Sequence, residues 1–125
     1  GVCSSPSEHA RTFVLFLPEE ETHELLLLFT EYILRQRNEK VLYLGASLPM
    51  NELEFIANTF KPHAWVTYLT VPSTPEHVQH FLTQVAGLLP TATVIVGGSQ
   101  MIHYQLPLPK NVSVIGNVQQ LKACL

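Results

Sequence analysis

Residues 11–44 read RTFVLFLPEEETHELLLLFTEYILRQRNEKVLYL, and the change of period inside this stretch decides the fold. Arg11 to Leu17 is a mostly apolar run of strand length, the pattern of a strand buried on both faces in a parallel sheet. Pro18-Glu19-Glu20 is a turn. From about Thr22 to Arg37 the spacing becomes helical. Leu25, Leu28, Phe29, Tyr32 and Ile33 fall on one face, and Arg35, Arg37 and Asn38 mark the end. Lys40 to Leu44 is strand again, so the stretch is a strand–helix–strand crossover.

Outward from it the alternation repeats. Met50 to Thr59 is a helix with Leu53, Ile56 and Phe60 on its apolar side, and Ala64 to Leu69 is a third strand, with Trp65 in the core. Ser73-Thr74-Pro75-Glu76 opens a helix with a capping hydroxyl and a first-turn proline. That helix buries Val78, Phe81, Leu82 and Val85 and stops near Gly87. Thr93 to Val96 is a fourth strand ended by Gly97-Gly98, followed by a short helix at Ser99 to Tyr104. Val112 to Ile115 is a fifth strand and Val118 to Cys124 a final helix. Five strands alternating with helices predict an α/β domain. Its doubly wound parallel sheet has the flavodoxin-like order 2-1-3-4-5 and right-handed crossovers. Residues 11–125 form this domain. Residues 1–10, GVCSSPSEHA, are small and polar and read as a linker from a region upstream.

At 125 residues, 46% hydrophobic and 14% charged, the chain has the makings of one core and no disordered tail. Its longest apolar runs are far below the ~20 residues that cross a bilayer. Seven basic against ten acidic residues, net charge −3, argue against unaided nucleic-acid binding, which needs a positive face. Two cysteines, Cys3 and Cys124, sit near the termini. They are too few and too terminal for a disulfide scaffold and read as free thiols in a cytoplasmic setting.

Ligands of such sheets bind beyond the carboxyl ends of the strands, near the switch point between strands 1 and 3. Three pieces lie there. Glu19-Glu20-Glu21-Thr22-His23-Glu24 enters the first helix. Its acids suit a helix N-terminus, and equally a carboxylate two residues before an imidazole suits a metal ligand held in one tautomer. Thr67-Tyr68-Leu69 ends the third strand, where the Thr67 hydroxyl serves either the backbone or a buried heterocycle. Gly97-Gly98 ends the fourth, as a turn or a place of close approach. His77 and His80 lie three apart with no third ligand beside them. No Ser-His-acid or Cys-His set has a catalytic spacing, and no enzyme activity is expected.

Glu21-x-His23-x-x-Leu26, then 40 residues, Thr67-x-Leu69, then 27 residues and Gly97-Gly98 resemble the cobalamin-binding domain fingerprint. In that family it reads Asp-x-His-x-x-Gly, then Ser-x-Leu, then Gly-Gly, at closely similar gaps. Glu for Asp, the wording Glu-Thr-His-Glu-Leu, and Tyr43-Leu44-Gly45 with Pro49 look most like the sensor domain of MerR-type transcription regulators that respond to light or cobalamin. The resemblance implies adenosyl- or methylcobalamin bound base-off. His23 would be the lower cobalt ligand and Glu21 its hydrogen-bonding partner. Thr67, of the Thr67-x-Leu69 pair, would bond the tail base, and Gly97 and Gly98 would line the tail's ribose and phosphate. DNA would be reached only through an upstream helix-turn-helix, with homo-oligomers possible in such regulators. The departure is Leu26, which stands where the family's glycine makes room for the tail. The rival reading is therefore an interaction module of the same fold with its tail pocket plugged, and a corrinoid carrier for methyl transfer ranks behind both. A flavodoxin would need a phosphate-cradling loop where this chain has Pro-Glu-Glu-Glu. A response-regulator receiver would need an aspartate, and the chain contains none.

Overall fold

A computed structural model describes residues 11–125. The predicted linker and Cys3 lie outside the described residues; Cys124 is exposed and makes no disulfide among the described residues. The elements are β1 (Thr12–Pro18), α1 (Leu25–Gln36), β2 (Lys40–Leu48), α2 (Met50–Phe60), β3 (Ala64–Tyr68), α3 (Pro75–Leu88), β4 (Thr93–Gly97) and β5 (Val112–Val114). Short 3-10 turns cover Ser99–Met101 and Val118–Cys124, where α-helix was expected. The sheet is parallel throughout, in the expected flavodoxin-like order β2-β1-β3-β4-β5.

Strand alternation sorts the core into two layers. Phe13, Leu15 and Leu17 of β1 and Val66 and Tyr68 of β3 pack against Leu27 and Leu34 of α1, with Leu121 closing the end. Val14, Phe16, Trp65 and Leu69 face the other way, toward Leu53 and Ala57 of α2 and Val78, Leu82 and Val85 of α3. Trp65 is fully buried, as expected. The Thr74 hydroxyl accepts from the His77 N–H at 3.1 Å and Pro75 takes the first turn, so α3 starts where its capping signal stands.

Four predictions need correction. The expected apolar face of α1 is largely its outer face: Leu25, Leu28, Phe29 and Tyr32 are exposed, while Leu27, Thr30 and Leu34 are buried. A helix apolar nearly all round offers two stripes, and periodicity does not choose between them. On α2, Phe60 is exposed and Ala57 takes the inner position. β2 runs four residues beyond Leu44, because Gly45 (φ 83°) and Ser47 (φ 58°) take positive φ and let the register with β1 slip twice instead of ending the strand. Finally, α1 begins at Leu25 rather than Thr22, since residues 21–24 form an irregular loop along the sheet edge that ends at Glu24.

Candidate functional site at the carboxyl edge

The three predicted pieces do meet along the carboxyl edge of the sheet, but their side chains have other partners than the resemblance implies. Glu21 is buried. Its Oε2 accepts from the backbone N–H of Thr70 at 2.7 Å and of Val71 at 2.8 Å, and its Oε1 accepts from the Thr70 hydroxyl at 2.7 Å. A carboxylate so engaged ties the β1–α1 loop to the β3–α3 loop, and none of these bonds goes to His23. His23 is exposed on the rim. Glu24, the other acid beside it, accepts from the Tyr43 hydroxyl at 2.6 Å. Burial first, and then Glu24, push the Tyr43 phenol well above its ordinary range.

The layer between the sheet and α1, where the resemblance places the cofactor tail, is filled. Tyr68 points into it and is fully buried. Its hydroxyl donates to Thr30 Oγ1, whose own proton goes to the Leu26 carbonyl at 2.8 Å. Burial raises the Tyr68 pKa. Leu26 is only half-buried on the flank of this layer, whose buried side chains include Tyr68 and Leu27. Thr67, between Trp65 and Leu69 on β3, faces the α2–α3 layer instead, where its buried Oγ1 lacks a partner among the described residues.

Both glycines are explained by close packing. A Cβ on Gly97 would stand 3.0 Å from the Tyr68 ring. Gly98 has φ 99°, and a Cβ there would fall 2.4 Å from the Leu69 carbonyl oxygen. The Leu69 N–H donates to the Gly97 carbonyl at 2.9 Å, and the Gln100 N–H to the Leu69 carbonyl at 3.0 Å. The glycine pair thus seats the β3–α3 loop against β4.

Open space lies on the other side of the sheet. A cleft of about 150 Å³ separates Pro18–Glu21 from Leu69, Val71, His77 and Phe81. A groove of about 470 Å³ beside it is lined by Glu19, Glu20, Leu48, Met50, His77 and His80. Among the described residues no three His, Cys, Asp or Glu side chains come together as a metal site. Sequence reading missed Thr30 and Thr70. The parity of β3 against β1, Leu15 beside Val66, is the signal that places Tyr68 on the α1 side.

No family model and no curated relative matches the chain in sequence. Solved structures do match in fold. A cobalamin-binding protein from Desulfitobacterium hafniense superposes with a TM-score of 0.69 at 16% identity, over 92% of this chain and 58% of that one. A chain of the methanol:cobalamin methyltransferase complex from Methanosarcina barkeri gives 0.73 at 16% identity, over 91% and 46%. The response regulator PhyR from Brucella abortus gives 0.55 at 16% identity, over 91% and 45%. The chain spans about half the length of the chains it matches. It has the flavodoxin-like fold seen in cobalamin-binding proteins.

Proposed function

We propose that this chain is a regulatory domain of a MerR-type transcription regulator. In this reading it has the cobalamin-domain fold, works by association rather than catalysis, and keeps its tail pocket closed. One observation carries the choice of association over cofactor binding: the Tyr68 ring fills the space beside α1, and the glycine pair is packed against Tyr68 and Leu69. A buried nucleotide tail does not fit those residues, and overfilling a packed layer costs about 1–3 kcal/mol per misplaced group. The MerR assignment is supported by the Glu21-x-His23 wording, by Tyr43-Leu44-Gly45 and by the fold. DNA contact would come through an upstream helix-turn-helix, in the cytoplasm.

The second reading is a cobalamin sensor with His23 as lower ligand, favoured by the exposure of His23 at the mouth of the edge. A methyl-transfer corrinoid carrier needs the same seat for the tail. Titration of the chain in the dark with adenosylcobalamin and methylcobalamin, read by the visible spectrum and by gel filtration, separates these readings. We expect no corrinoid to stay with the protein. A base-off, histidine-ligated spectrum that disappears in His23→Ala would establish cobalamin binding in place of the association reading.

A further inference from the structure

The cleft of about 150 Å³ and the groove of about 470 Å³ on the α2–α3 side of the sheet share their walls. Pro18, Glu19, Glu20, His77 and Phe81 line both. The cleft lies between the end of β1, at Pro18, and the end of β3, at Leu69. That is the switch point at which sheets of this order bind ligands, and the groove is of small-molecule size. Its walls are held in place. Glu21, which also lines the cleft, ties the β1–α1 loop to the β3–α3 loop through Thr70 and Val71.

The deeper lining is apolar: Leu69 is buried, and Leu48, Met50 and Phe81 are half-buried. The rim carries exposed Glu19 and Glu20 on one side and exposed His77 and His80 of α3 on the other. Neither Glu19 nor Glu20 makes an ion pair among the described residues, and no Lys or Arg side chain lines either space. A cleft lined by charge of one sign, above low-dielectric walls, concentrates ligands of the other sign.

We propose that the cleft and groove bind a small organic ammonium ion with an aromatic body. The two rim carboxylates select a positive head group over a neutral or anionic one. Phe81 and Met50 offer a ring and a thioether, surfaces on which an aromatic body packs and beside which a cation is favoured. The His77 and His80 imidazoles add acceptors for ammonium N–H groups. A bare metal ion does not suit the same space, because no three His, Cys, Asp or Glu side chains converge among the described residues. The groove lies across the sheet from Tyr68, so its occupancy is independent of the association reading and of cobalamin.

Titration of the isotope-labelled chain with phenethylamine, phenethyl alcohol and phenylacetate, followed by amide proton–nitrogen NMR near neutral pH, tests this with three probes of similar size and different head groups. Phenethylamine is expected to shift the amides of Glu19, Glu20, His77 and Phe81 with a Kd of about 0.3–3 mM, leaving those of Arg11 and Glu39 in place. The alcohol and the carboxylate bind at least about five-fold more weakly. Glu19→Gln combined with Glu20→Gln weakens the amine about five-fold and brings it level with the alcohol. His80→Lys, across the groove, weakens it about three-fold by adding a cation, and decides the matter should the double variant lose its native spectrum. No shifts up to about 20 mM amine, equal affinity for the three probes, or an affinity that neither variant alters overturns the proposal. Each of those outcomes leaves the cobalamin titration, and with it the association reading, untouched.

Discussion

Glu21 is the residue on which the edge depends. Its buried carboxylate receives two backbone N–H groups and a hydroxyl from the half-buried β3–α3 loop. Hydrogen bonds to a charged group are worth about 1.5–3 kcal/mol net, and orphaned buried donors cost more than the bond itself. Glu21→Ala is expected to lower stability by about 2–4 kcal/mol in urea unfolding, while exposed His23→Ala changes it by less than about 0.5 kcal/mol. Equal losses for the two variants would show that Glu21 acts through His23 after all. The Glu-x-His spacing was visible in the sequence; the direction of the carboxylate was not, because it depends on a loop some fifty residues away.

At the scale of the element, the best-marked boundary is that of α3. Ser73-Thr74-Pro75-Glu76 carries its own start signal, and the structure uses it through one side-chain bond to the His77 N–H. Thr74→Ala should cost about 1 kcal/mol and Thr74→Ser much less, measured by thermal unfolding. No such signal opens α1. Glu24 stands at its cap without a side-chain bond, its carboxylate being taken by Tyr43 of β2. The start of α1 therefore shifts with its neighbours, and its inner face is chosen by Thr30 meeting Tyr68. β2 shows the same dependence: the expected strand ends at Leu44, yet pairing with β1 carries it through two slips to Leu48.

Across the whole molecule, the amino edge of the sheet is closed by charge. Arg11 pairs with Glu39 beyond α1, lies 3.4 Å from His63 Nε2, and reaches the Leu125 carbonyl at 3.5 Å. Burial alone would raise the Glu39 pKa, but the Arg11 hydrogen bonds and charge outweigh it and hold the carboxyl below the ordinary carboxylate range. A depressed folded pKa stabilises above the unfolded value, and that contribution is lost as pH falls through the folded one. The pair is partly exposed, so its contribution is held to about 1 kcal/mol or less. The stability gap between the wild type and Glu39→Gln should stay level from about pH 7 to 5 and close at lower pH, in urea titrations across that window. A gap unchanged below the carboxylate range would remove Arg11–Glu39 from the account.

By itself the sequence determined the fold class: the alternation of strand and helix, the proline and glycine punctuation and the cap of α3 are local signals, and five strands in this length fit the flavodoxin-like order. It also placed the three pieces at the carboxyl edge, since strand ends are local too. Only the tertiary structure decided what those pieces do. Tyr68 or Thr67 toward α1 is a matter of one-residue parity between β1 and β3. Glu21 toward His23 or Thr70, and Leu27 or Leu28 inward on α1, are likewise choices between partners distant in the chain. Each alternative satisfies the local pattern equally well, so long-range packing and hydrogen bonding make the selection.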